Sequence, residues 1–482
     1  MTFFAHGVPP RARCLLWLAV LFFMVTGLMG CAMEQATRPV PPLLSRRPAA
    51  DETMVSVFMN FPAEPMTGIW VQFASLELVG GNAVLPLSLR SKELETTSLS
   101  GRQRLLAQGP VGASGYQALR VVIEKAALVR DGRKMILSVQ QPVVDLPLPA
   151  GFQLRPGESV SLFVYWSEEG AIQHQALFTP RMTAVAQQPP LVADLAYVSC
   201  PEIDTVFTIR TDRNWVTGSF SVAGEPTYLA YSSRRKHLYV LSRKTAEITV
   251  VRAATSQTLD RFKIPLIVSP AFMMSPEGDW GYILDEESNY ILRMNLAQGT
   301  LDQRARVGFQ PGYAAWVADS SRLAVLSKRS QQVYMIEPET LATVASVAVG
   351  SGPQSLLAVE GSLYVAEGGA NTVSIYDIGS LQPVKRMNVG PGPRRLLLSG
   401  ENIYVTNGDD GTISLLLMRQ QRLSRAIRVE GRPFAMAAST ARKWLYVGDE
   451  EFGRLSVIDQ TSNRVSERIE LGAIPMDILL VQ

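Results

Sequence analysis

The stretch IYVTNGDDGTISLL (residues 403–416) holds two strand-length apolar runs on either side of a turn of Gly, Asp and Asn. Close copies stand at residues 363–377, LYVAEGGANTVSIYD, and 445–459, LYVGDEEFGRLSVID. Looser copies in the same register are GYILDEESNYILRMN (281–295) and LAVLSKRSQQVYMIE (323–337). A proline leads each copy: Pro226, Pro270, Pro311, Pro353, Pro393, Pro433 and Pro475 lie 40 to 44 residues apart. Behind the first six come the pairs Tyr239-Val240, Tyr282-Ile283, Ala324-Val325, Tyr364-Val365, Tyr404-Val405 and Tyr446-Val447; a seventh, Tyr197-Val198, precedes the first proline. A β-rich repeat of about 40 residues marks a propeller, in which each copy is one blade.

The sixth copy shows four strand-length pieces: RRLLLSG after Pro393, IYVTN, TISLLLM and RLSRAIRV. Gly, Asn and Asp fill the gaps, where tight antiparallel turns need positive φ or side-chain caps. Proline falls at the first residue of a first strand, where a missing ladder N–H does least harm. These copies closely resemble the YVTN family of seven-bladed propellers, over roughly residues 195–482. The expected fold is all-β, with the array starting on a second strand near Tyr197 and ending on a first strand after Pro475. Six whole blades between two fragments then leave the C-terminal strand to complete the first blade in a 3+1 closure.

The N-terminal part reads differently. Arg11 and Arg13 precede an apolar run, residues 15–30, that is short for a bilayer span and suits a secretory signal. Leu28-Met29-Gly30-Cys31 resembles a bacterial lipobox, which implies a signal peptide over residues 1–30 and lipidation of Cys31. Ala32 after the cysteine favours outer-membrane delivery by the usual sorting rule. Residues 31–50 carry the lipidated Cys and a proline-rich tether without hydrophobic periodicity. Residues 51–187 alternate apolar and polar positions, as in Ile69, Val71 and Phe73 or Val160, Leu162 and Val164. Period two implies strands with one face in and one face out, here a β-sandwich. Residues 115–132 and 148–166 loosely resemble an uncharacterised sandwich domain of bacterial lipoproteins, and residues 188–194 read as a linker.

Composition narrows the chemistry. A formal net charge of +3, with no basic run interleaved with aromatics, gives no reason to expect nucleic acid. Three cysteines and three histidines provide no haem-attachment or zinc spacing, so no cofactor or metal is expected. Cys200 has no expected disulfide partner, because Cys14 would leave with the signal and Cys31 would carry lipid. No G-x-S-x-G elbow is present.

Two polar groupings stand out on the face carrying the fourth-to-first and second-to-third strand loops. Gln354, Arg394, Arg395, Arg432 and Asp477 lie beside the repeat prolines, where other copies have apolar or small residues such as Tyr228, Phe272, Tyr313 and Ala435. Convergent arginines there suit a carboxylate, a phosphate or an acidic peptide. Acidic turns after the Tyr-Val strands (Glu202 and Asp204, Asp285 to Glu287, Glu367, Asp409 and Asp410, Asp449 to Glu451) read as self-capping turns before they read as a site for a divalent cation or a basic partner. The function expected from the sequence is a lipid-anchored, non-catalytic envelope scaffold that engages a protein or polymer through the propeller loop face. The alternative is a lactonase-like hydrolase working at the channel mouth.

Overall fold

The computed structural model describes residues 46–63, 67–81, 83–174, 176–189, 194–265, 271–317 and 321–481. The stretch read as a signal peptide, Cys31 and Pro270 lie outside these, as does the stretch read as a tether up to residue 45. Residues 43–482 form one compact unit. No helix among the described residues is long and apolar enough to cross a membrane.

The seven-bladed propeller is present as seven four-stranded antiparallel sheets. Blade 1 takes its innermost strand, Asp477–Val481, from the C-terminus. This strand pairs with Leu195–Cys200, in register from Leu195 opposite Val481 to Ser199 opposite Asp477. Blade 6 shows how the repeat builds a sheet: Pro393–Ser399, Asn402–Asn407, Thr412–Leu417 and Arg422–Arg428 run from the channel outward.

Apolar side chains meet between blades, so each blade's core is completed by its neighbour. Tyr404, Ile413 and Leu415 of blade 6 pack with Leu445, Val447 and Ile458 of blade 7. The repeat tyrosines also reach forward into the next blade. Tyr197 donates to the Ala253 carbonyl (3.1 Å), Tyr239 to Leu296 (3.4 Å), Tyr282 to Pro338 (3.3 Å), and Tyr446 to Asn214 across the ring junction (2.5 Å). Burial pushes the Tyr197 hydroxyl up to about 12.

The position held by the asparagine of IYVTN is polar and buried in blade after blade: Ser242, Asp285, Ser327, Glu367, Asn407 and Asp449 are each at most 3% exposed. It ties the second strand to nearby loop backbone. Glu367 accepts from Gly350 N–H and Asp449 from Arg432 N–H. Blade 1 puts Cys200 there, a buried free thiol 3.9 Å from the Ala473 carbonyl oxygen.

Residues 52–186 form a twelve-stranded sheet folded over its own core. Val84–Leu89 pairs with both Ile69–Gly80 and Gln103–Gly112, joining the two halves of the sandwich. Simple alternation fails at Glu52–Asn60, which is buried on both faces. Val55, Val57 and Met59 enter the sandwich core, while Met54 and Phe58 join Phe207, Val216 and Leu455 of the propeller.

This docking also covers the outer strand of blade 1, Trp215–Ser221, an edge that would otherwise present open N–H and C=O groups. Two glutamines act as short strands against it. Gln103 exchanges two 2.9 Å hydrogen bonds with the Val216 backbone. Gln187 accepts from Ser219 N–H (2.9 Å) and donates to its carbonyl (2.8 Å). Gly472, at φ +71°, lies so close to Gln108 that a Cβ would collide with the amide, and Gln108 donates to Leu471 O at 2.9 Å. Arg47, in the stretch read as tether, bridges Asp204 (3.2 Å) and Glu225 (2.9 Å) on the loop face of the propeller.

Candidate functional site at the channel mouth

In blades 2, 4, 5, 6 and 7 the inner strand begins at its proline, and the two residues after each repeat proline serve different levels of the channel. The residue one past the proline rings the mouth: Thr227, Gly312, Gln354, Arg394, Phe434 and Met476 border an opening of about 210 Å³. The residue two past it lines the channel below. Tyr228, Phe272, Tyr313, Arg395, Ala435 and Asp477 border a cavity of about 250 Å³.

Of the five residues singled out from the sequence, Gln354, Arg394 and Arg395 border the mouth, Arg395 and Asp477 border the cavity below, and Arg432 precedes its proline and is exposed outside both cavities. Arg432 uses its backbone N–H to bind Asp449 (3.0 Å), and its guanidinium makes no ion pair among the described residues. Gln354 turns back on the Gly352 carbonyl at 3.4 Å.

Nor is the mouth a cationic sector. Arg394 pairs with Glu450 (2.5 Å), Lys328 with Glu286 (3.6 Å) and Arg243 with Glu225 (2.6 Å). Each pair involves a second-to-third strand turn, and within each pair the charges cancel. Sequence marked Glu286 and Glu450 as acidic turn residues but not as partners of Lys328 and Arg394, because the place of second-to-third strand turns over the channel depends on blade tilt.

Arg395 is the exception. Its guanidinium lies 4.8 Å from the Tyr313 ring centroid and 4.6 Å from that of Phe434. No carboxylate oxygen of a described residue comes within 4.0 Å of it. Asp477 does not serve as its partner: one oxygen accepts from Leu229 N–H (2.9 Å), the other from Ile478 N–H (3.0 Å). Burial raises the Asp477 carboxyl above the ordinary range, against the pull of those N–H groups and Arg395.

The acidic turns are occupied locally. Asp285 accepts from the N–H groups of Glu287 and Ser288, Asp410 from Thr412, and Asp449 from Glu451 and Phe452. Glu367, wholly buried, accepts from Gly350 N–H, Thr372 and Ser374 beside Arg386 (3.5 Å). Among the described residues no group of three or more potential ligands could hold a metal ion. His237 begins the second strand of blade 2, away from the mouth, and no histidine borders either cavity.

No protein-family model matches the sequence, and no curated protein matches it. Solved structures do resemble it. A functionally unknown protein from Desulfotomaculum acetoxidans aligns at TM-score 0.54 and 12% identity, over 60% of this chain and 99% of its own. A "putative 6-phosphogluconolactonase" from Bacteroides fragilis aligns at 0.52 and 15%, over 61% and 100%. A protein from Lactobacillus plantarum aligns at 0.52 and 18%, over 60% and 99%. Identities this low establish the fold: the chain is an all-β protein with a seven-bladed propeller.

Proposed function

We propose that the chain is a lipid-anchored binding protein of the bacterial cell envelope, on the outer membrane, whose propeller engages a protein or polymer through its loop face without catalysis. The observation behind this reading is the mouth itself. Ion pairs brace the rim around Arg395, and among the described residues neither a histidine nor an activated nucleophile borders the opening. A braced polar rim suits recognition, since pre-ordered side chains lose little entropy on binding. Hydrolysis of a lactone is the second reading, suggested by Arg395 and Asp477 in one channel. It is the weaker, because both oxygens of Asp477 are already held by backbone N–H groups.

Capture from detergent-solubilised envelopes tests the first reading. The wild-type protein is expected to retain one stoichiometric partner, and the double substitution Arg394→Glu, Arg432→Glu to weaken capture by about tenfold or more, as loss of rim complementarity does. Capture undiminished by charge reversal would remove the loop face from consideration. Turnover of any lactone, abolished by Asp477→Ala, would favour the enzyme instead.

The anchor, argued from Leu28-Met29-Gly30-Cys31 alone, has its own test. Cys31→Ala should abolish fatty-acid labelling and release the protein from the membrane fraction. Label that persists in this variant would refute lipidation at Cys31.

A further inference from the structure

We infer that the channel below the mouth is a binding site for a carboxylate group carried on a small apolar or aromatic body, with Arg395 taking the two oxygens. Arg395 and Asp477 are the charged residues of the channel lining. The Tyr313 and Phe434 rings flank the guanidinium, whose N–H groups have no carboxylate partner among the described residues. A planar, stacked fork of this kind is pre-organised for bidentate contact with an oxyanion.

Burial opposes the Arg395 cation, but Tyr228, Tyr313 and Asp477 around it outweigh that and hold the guanidinium above its ordinary range. The channel therefore presents a fixed positive charge between two rings.

Asp477 selects among anions. A monovalent carboxylate joins one positive and one negative group, whereas a phosphate dianion would leave the cavity strongly negative. A cavity of about 250 Å³ is smaller than sites for drug-sized molecules, so it accepts a short acid or the end of a chain. Tyr228, Phe272 and Tyr313 supply apolar walls for the body that carries the acid.

This inference rests on reading the propeller as a binding module. Its failure would leave the loop-face reading standing, because capture through Arg394 and Arg432 does not pass through the channel. The test uses the full chain, with 3-phenylpropionate and a short peptide ending in Phe, the peptide with free or amidated C-terminus. Thermal shift and titration calorimetry are the readouts.

Wild type is expected to gain melting temperature with an acid probe. A response to 3-phenylpropionate indicates a free solute; a response to the free-ended peptide alone indicates a chain terminus. Arg395→Met should lose the response while keeping the wild-type circular dichroism spectrum. A response retained by Arg395→Met would overturn the proposal. So would binding of the amidated peptide as tightly as the free one, or no shift with any probe.

Discussion

Deleting residues 474–482 should unfold the propeller at temperatures where the intact chain is stable. The lost segment contains the whole inner strand of blade 1, with Ile478 buried beside Ala196 and Val198. Asp477 goes with it, exposing Leu229 N–H in blade 2. Closing a ring whose ends lie some 280 residues apart costs about 5 kcal/mol by loop-entropy scaling. The ladder and buried side chains of this strand offset that cost, and the truncated ring also gains an open edge at Leu195–Cys200. A loss of about 5 kcal/mol or more is expected from burial alone, at ~1.5–3 kcal/mol for each large apolar side chain. Circular dichroism melts check this directly. A truncated chain that melts with the wild type would show that the strand does not lock the ring.

Phe58→Ala is expected to be among the most damaging single substitutions, although Phe58 lies outside the propeller. Its side chain is 1% exposed, stacked with Phe163 of the sandwich at 6.0 Å and edge-on to Phe207 of blade 1 at 6.3 Å. Removing a buried phenyl ring costs about 3–5 kcal/mol, more where the surroundings cannot close in. Here a sheet faces a blade junction, and both are held by backbone ladders that resist collapse. The same packing implies that sandwich and propeller unfold together in a single calorimetric transition. Urea titration of Phe58→Ala should report the loss. A change under about 1 kcal/mol, or two separate transitions, would mean that the two domains do not share a core.

The residues at which sequence and structure part company share a physical cause. Tyr404, Val405 and Asn407 were readable because a blade repeats its local environment, so each copy confirms the others. Val55 and Phe58 were not: alternation says that successive side chains face opposite ways, but not that both faces are covered. Gln103 and Gln187 look like solvent-facing polar residues in sequence, yet they complete the edge strand of a distant blade.

At the mouth, Arg394 and Arg395 are adjacent in sequence and were grouped as one cationic feature. A strand places neighbours on opposite sides, so Arg394 reaches Glu450 at the rim while Arg395 enters the channel between two aromatic rings. Glu286 was legible only as part of an acidic turn, and Lys328 and Arg243 gave no signal, because each comes from a turn whose partner lies on another loop.

The sequence by itself determined the all-β class, the seven-fold repeat and the pairing of the C-terminal strand with the Tyr197 strand. Spacing and periodicity are local properties, and counting strands at the two ends needs nothing more. Only the tertiary structure decided that the sandwich seals the junction of blades 7 and 1, that the mouth charges are paired, and that Arg395 stands apart from them. Those outcomes depend on distances between residues far apart in the chain, which are set by how blades tilt and domains dock. A repeat fixes the blade; the contacts across blades fix what the channel presents.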